Sequence, residues 1–218
     1  MIPPILRSCC LFVLISISAL HPAFGQGADK DANAIAQALR DVDAKMTHPD
    51  PELRVGYLET IVAEGNARKI ERAIRIAVAG PDDGLRALGF RAYVASTGSV
   101  PFDILVTPQE RQMTADSQSR TTAIPRYLHA VWRAGYSLSV QFEPAPLNTV
   151  RGFVKADANI KLEYSMRGSR LTFSGLTIVG GDRANCNWDM RPTKELKILA
   201  TMACQGWERP IQLEASMY

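Results

Sequence analysis

The spacing of apolar residues changes once along this chain, near Gly98, and that change restricts the folds open to it. From Lys30 to Gly98 apolar side chains recur with a helical period; from Val100 onward most segments alternate, as half-buried strands do. Helices followed by strands predict an α+β protein. Antiparallel helical hairpins are expected over 26–98. An antiparallel β-sandwich or small barrel, with one disulfide, is expected over 99–218. The join falls in STGSVP, residues 96–101, a linker short enough to bring the two halves into contact.

Four helical segments carry their own start and stop signals. In DANAIAQALRDVDAKM, Ile35, Leu39, Val42 and Met46 share a face. DPELRVGYLETIVAEG opens on Asp50 as N-cap with Pro51 in the first helical position, and Gly65 suits a left-handed stop. Its stripe is Leu53, Tyr57, Leu58, Ile61 and Val62. Asn66 caps the third segment, which ends at Gly80-Pro81. Asp82 or Asp83 starts the fourth, with Leu85, Leu88, Ala92 and Tyr93 inward.

Placing Asp50 on Asp82 aligns Leu53 with Leu85, Arg54 with Arg86 and Val62 with Val94, an offset of 32 residues. Two-helix units at that period indicate stacked hairpins. The D-x-x-L-R opening of the second helix in each pair resembles HEAT-like repeats, over about residues 31–97 and two repeats. The resemblance implies that the aspartate and arginine tie neighbouring repeats together, here Asp50 with Arg54 and Asp82 with Arg86, and that the helices offer a protein-contact surface. A plain four-helix arrangement accounts for the same spacing.

The second half reads as five to seven strands. VPFDILVT alternates and stops at Pro108. PRYLHAVWRAG has a helical face of Leu128, Val131 and Trp132. SLSVQFE places Leu138, Val140 and Phe142 on one side. KLEYSMRGSRLTFSGLTIVGG predicts a hairpin turning at Arg167-Gly168-Ser169, with Leu162, Tyr164 and Met166 across from Leu171 and Phe173. VGGDRANCNW reads as a loop rich in turn residues. ELKILATMAC and RPIQLEASMY close the chain as strands.

The first 25 residues read as a cleaved secretory signal: Arg7, an apolar run from Leu11 to Leu20, and small Ala23 and Gly25 before a cut at Gln26. The run is short for a membrane anchor. Cys9 and Cys10 precede it, which excludes acylation after the cut, and they leave with the leader. The remaining chain has no membrane span and loses one positive charge, falling from +3 to +2. A balance that mild neither favours nor excludes an acidic partner, and no nucleic-acid partner is expected. Export to an oxidising compartment favours a structural disulfide between Cys186 and Cys204, the only cysteines after the leader. The spacing is not C-x-x-C, and His48 and His129 are too far away to complete a zinc site.

Signatures of chemistry are sparse. No nucleophile elbow, zinc-helix motif, P-loop, dinucleotide fingerprint or calcium loop occurs in the sequence. Gly180-Gly181-Asp182 reads as a turn. His48 reads as a turn residue and His129 as a partly buried structural one. Asp157 and Glu163 form a carboxylate pair of the type glycoside hydrolysis needs, a chemistry decided by separation in space. Trp188 and Trp207, with Arg191 and Arg209, are candidates for a ligand platform at the disulfide end of the sheet, or else for a core covering the disulfide. Arg68, Lys69, Arg72 and Arg75 crowd the third helix, as an anion-facing patch or as a solvated face with Glu71 pairing Arg75.

These features lead to the expectation of a periplasmic or secreted, non-enzymatic binding or adaptor protein of the bacterial envelope or extracellular space. Its partner would be another envelope or secreted protein, with no cofactor or metal. The alternatives are a cell-envelope glycan hydrolase and a carbohydrate-binding module.

Overall fold

The structure is a computed structural model describing residues 25–117, 124–147, 149–157 and 160–218. The expected leader lies outside the described residues except for Gly25, where the first helix begins. Residues Gln37–Tyr218 form one compact unit; of the preceding unit the described part is the start of that helix.

Among the described residues six helices and eight strands follow one another as α1 (Gly25–Met46), α2 (Pro51–Glu64), α3 (Ala67–Ala79), α4 (Asp83–Ser96), β1 (Ser99–Leu105), α5 (Pro108–Ser117), α6 (Arg126–Arg133), β2 (Ser137–Phe142), β3 (Arg151–Asp157), β4 (Ile160–Arg167), β5 (Arg170–Val179), β6 (Asp182–Pro192), β7 (Lys197–Cys204) and β8 (Ile211–Ser216). The protein is α+β, with helices compatible with helical repeats in its first half.

Local chemistry sets the helix ends. Asp50 accepts from the backbone N–H groups of Glu52 and Leu53 at 2.9 and 3.4 Å, and Gly65 ends α2 at φ 72°. Asn66 accepts from Lys69 N–H at 3.2 Å, and Asp82 from Gly84 and Leu85. Val42, Met46, Leu58, Ile61, Ala73 and Ala77 belong to the core these helices share. Two residues of the expected stripes lie elsewhere: Ile35 is 40 % and Leu53 43 % exposed. On α2 the buried positions are Leu58 and Ile61.

The strands close into an antiparallel barrel in sequence order, β1 to β8, with β1 also pairing β8. This settles the choice between sandwich and barrel. Alternation puts apolar residues inside: β7 buries Ile198, Ala200, Met202 and Cys204, and β8 buries Ile211, Leu213 and Ala215. Eight strands leave an interior just wide enough for side chains to fill. Trp188 lies in it, 3 % exposed, stacked on Phe173 at 5.3 Å between ring centroids. The hairpin β4–β5 has the expected register, Tyr164 opposite Phe173 and Met166 opposite Leu171.

The segment VGGDRANCNW is not a loop. Gly180 and Gly181, at φ 56° and 83°, form a two-residue turn between Val179 and Asp182, and β6 begins at once. Its outward residues are polar (Arg183, Asn185, Asn187), so the run lacks the apolar density of a core strand while keeping the period of two. Cys186 is therefore well inside β6 and directly opposite Cys204 of β7, rather than on a loop or edge.

Both ends of the barrel meet helices. At one end α6 buries Leu128, Ala130 and Val131 in the barrel core, against the β5–β6 turn. At the other end the tail after β8 brings Tyr218 to Tyr93 of α4 at 5.8 Å, with Arg75 of α3 over its ring at 4.0 Å. Val62, Ile70 and Leu147 pack against both the helical and the barrel cores.

Candidate functional site

With Trp188 and Phe173 packed inside the barrel, the larger depressions among the described residues lie on its outer wall. On β4, β5, β6 and β7 the outward positions fall in transverse rows set by the register. One row is Ser165, Thr172, Asp189 and Thr201; the next includes Ser174, Asn187 and Ala203. These side chains are short, so the wall is recessed there. A depression of about 700 Å³ runs over them, bordered by Arg151 and Glu163 on one side and by Arg170 and Asp189 on another. A second depression, of about 600 Å³, shares Arg170, Asp189 and Thr201 and extends to Arg191 and Gln212. A third, of about 560 Å³, shares Ser174, Asn187 and Ala203 and extends to Asn185 and Gln205. Together they form one polar trough across the strands.

Hydrogen bonds order the trough. Ser165 and Thr172 hydroxyls lie 3.2 Å apart, and Thr201 donates to Gln212 at 3.0 Å. Arg170 Nε donates to both oxygens of Asp189, at 2.9 and 3.0 Å, and its Nη2 also reaches that carboxylate. Arg151 and Glu163 face each other at 3.7 Å.

A second polar cluster lies at the α6 end. Glu110 is 8 % exposed. It accepts from the Tyr127 hydroxyl at 2.6 Å, from Thr107 N–H at 2.7 Å and from the Thr107 hydroxyl at 3.0 Å. Arg209 also donates to Glu110, and its guanidinium lies 4.9 Å from the centroid of the Tyr127 ring. Burial works against the charge on Glu110, but the Tyr127 hydroxyl, the Thr107 N–H and Arg209 outweigh it and hold the carboxyl at about 2. Alongside, Arg126 donates to both oxygens of Asp182 at 2.9 and 3.0 Å, and Glu208 accepts from the first N–H groups of α6. The acceptors already have donors and the cations already have carboxylates, so the cluster ties α5, α6 and the approach to β8 together.

The residues singled out from sequence are scattered. Arg191 lies near the end of β6 and Arg209 before the start of β8, so the antiparallel order puts them at opposite ends of the barrel. Trp188 faces inward and Trp207 is half-buried; with Arg191 and Arg209 they form no common platform. Cys186 and Cys204 are joined, 1 % and 8 % exposed. On α3, Arg72 pairs with Asp43, Arg75 with Glu71 and Lys69 with Glu64, so most of that charge is neutralised locally; Arg68 is exposed. Gly180-Gly181 turns against Ala130 and Arg133. His48 accepts from Asp50 N–H at 3.1 Å in a turn, whereas His129 is exposed rather than partly buried. The Asp157 side chain lies outside the described residues. Among the described residues no group of three or more His, Cys, Asp or Glu is placed to hold a metal ion, and no helix is long and apolar enough to cross a membrane.

Sequence reasoning missed the trough. Ser165, Thr172 and Ser174 were available as the outward half of the β4–β5 alternation. Asn187 and Asp189 were hidden by reading the start of β6 as a loop. In comparisons with known proteins, no family model, no curated protein and no solved structure matches this chain.

Proposed function

We propose that this chain is an exported, non-enzymatic binding protein that holds a segment of another envelope or secreted protein in the trough on the outer wall of its barrel. The observation that carries the reading is the placement of the recess. It lies on the outside, over short hydroxyl and amide side chains and over the strand positions of Tyr164, Phe173 and Trp188, residues that are themselves buried in the barrel. A surface of hydrogen-bonding groups bordered by arginine–carboxylate pairs suits an extended polypeptide, which brings its own backbone donors and acceptors. The leader-like first 25 residues and the Cys186–Cys204 bridge support export.

The helical hairpins supply a second contact surface. Their HEAT-like character is supported by Arg54, which donates to Asp82 at 2.9 Å and so links the two repeats at the matching positions. A carbohydrate-binding reading is favoured by the same hydroxyl and amide lining. It lacks a stacking ring from Trp188, which is turned inside.

A photoreactive amino acid at Asn187, on the trough, tests the proposal against one at Gln141, on the exposed side of β2. Irradiation in the native compartment is expected to give a discrete protein adduct from position 187 and none from 141. Equal yields from both positions, or capture of glycan alone at 187, would sink it.

A further inference from the structure

The strand register places arginines side by side on the outer wall. Arg167 of β4 is directly opposite Arg170 of β5. One step beyond the pair Leu171–Met190, β6 places Arg191 beside Arg170, and both line the second depression. Arg151 of β3 lies one row away, opposite Ser165. Arg167 and Arg170 also line a recess of about 280 Å³ with Ser165 and Thr172. Two arginines flanking one hairpin turn and a third from the next strand thus make one row across three adjacent strands, about 5 Å apart.

Like charges opposite each other on neighbouring strands destabilise a sheet. The acids on this face answer only part of the row: Asp189 pairs with Arg170, and Glu163 faces Arg151. Among the described residues Arg167 and Arg191 form no ion pair, and both are exposed. The arrangement costs the fold stability and leaves two guanidinium forks directed at solvent at the rim of the trough. Guanidinium forks match carboxylates in a bidentate geometry.

We infer that the row Arg167–Arg170–Arg191 is the specificity element of the trough, and that its ligand is an acidic, extended segment of the partner protein. The inference rests on the trough reading above and adds the charge of the ligand. Carboxylates on alternate residues of an extended chain lie about 7 Å apart, within reach of adjacent arginines in the row. The peptide backbone then runs over Thr172, Thr201 and Ser165, which hold hydrogen-bonding groups and no large side chain. An acidic glycan would match the same charge, but the burial of Trp188 leaves it without a stacking ring from that residue, which favours a polypeptide.

The test is fluorescence anisotropy of a labelled oligoglutamate peptide, with an oligogalacturonate of the same charge as the second probe. The peptide is expected to bind at low salt and to weaken steeply at about 0.5 M salt, where screening is severe. Arg167→Gln/Arg191→Gln keeps the Arg170–Asp189 pair and is expected to weaken binding about tenfold or more. Arg68→Gln/Arg183→Gln removes the same net charge elsewhere and is expected to leave binding unchanged. No peptide binding, equal loss in both double variants, or tighter binding of the oligogalacturonate would each overturn the inference. If the Arg167→Gln/Arg191→Gln protein still captures its partner through position 187 as well as the parent does, the acidic-ligand inference fails and the trough reading stands.

Discussion

Arg54 of α2 donates to Asp82 at 2.9 Å, and the other oxygen of Asp82 caps α4 through Gly84 and Leu85. One carboxylate thus starts a helix and ties it to the helix 32 residues earlier in the pattern. Asp50, at the matching position, caps α2 and forms no ion pair among the described residues. Replacing Asp82 with Ala should cost about 1–2 kcal/mol, a lost cap plus a partly exposed ion pair, and Asp50→Ala about 1 kcal/mol. Chemical denaturation of the two variants checks the difference. A double-mutant cycle should assign the excess to Arg54.

The disulfide should stabilise without being reachable. It closes a separation of 18 residues, for which loop entropy gives about 3 kcal/mol. With Cys186 1 % and Cys204 8 % exposed, mild reductant should leave the native protein intact and act only once denaturant opens the barrel. Thiol labelling against denaturant concentration measures this. The Cys186→Ala/Cys204→Ala protein should unfold at lower denaturant with the same secondary structure.

Glu110 makes the α6 end sensitive to acid. Its folded carboxyl titrates at about 2, below the ordinary 4.5, so its contribution is complete above pH 4.5 and is lost as pH falls toward 2. The contribution is on the order of 3 kcal/mol. Glu110→Gln should remove most of it at neutral pH and flatten the stability profile over that window. Unfolding followed between pH 2 and 6 in both proteins gives the comparison.

Gly180 should tolerate no side chain. Its φ is 56°, and a Cβ there would lie 2.2 Å from the carbonyl oxygen of Ala130. Gly180→Ala should cost about 2 kcal/mol or more, from backbone strain and overpacking against α6. Gly98→Ala has nothing within 4 Å of the added atom and serves as the control.

Short-range signals in the sequence were easy to read. Asp50, Asn66 and Asp82 mark helix starts because a side-chain oxygen answers N–H groups two or three residues away. The β4–β5 register followed from the alternation on both sides of Arg167-Gly168-Ser169-Arg170. Long-range information was harder. Nothing local in VPFDILVT shows that β1 will pair with β8, more than 100 residues away, and without that pair a sandwich and a barrel read alike. Leu53 looked buried by its period, but burial also needs a neighbour to cover that side of α2. The arginine row escaped notice for the same reason. Arg167 and Arg170 are near each other in sequence, but only the β5–β6 register adds Arg191.

The joining of β1 to β8 also governs the order in which this protein can be made. β1 is the first of the eight described strands to emerge; one flank pairs with β2, but the other has to wait for the last strand, where Asp103, Ile104 and Leu105 meet Glu214, Leu213 and Gln212. Until then both flanks of the growing sheet carry unsatisfied backbone groups, an invitation to other chains. Shortening the chain by the few residues of β8 would bare the flanks of β1 and β7 together, two sticky margins where the closed barrel has none.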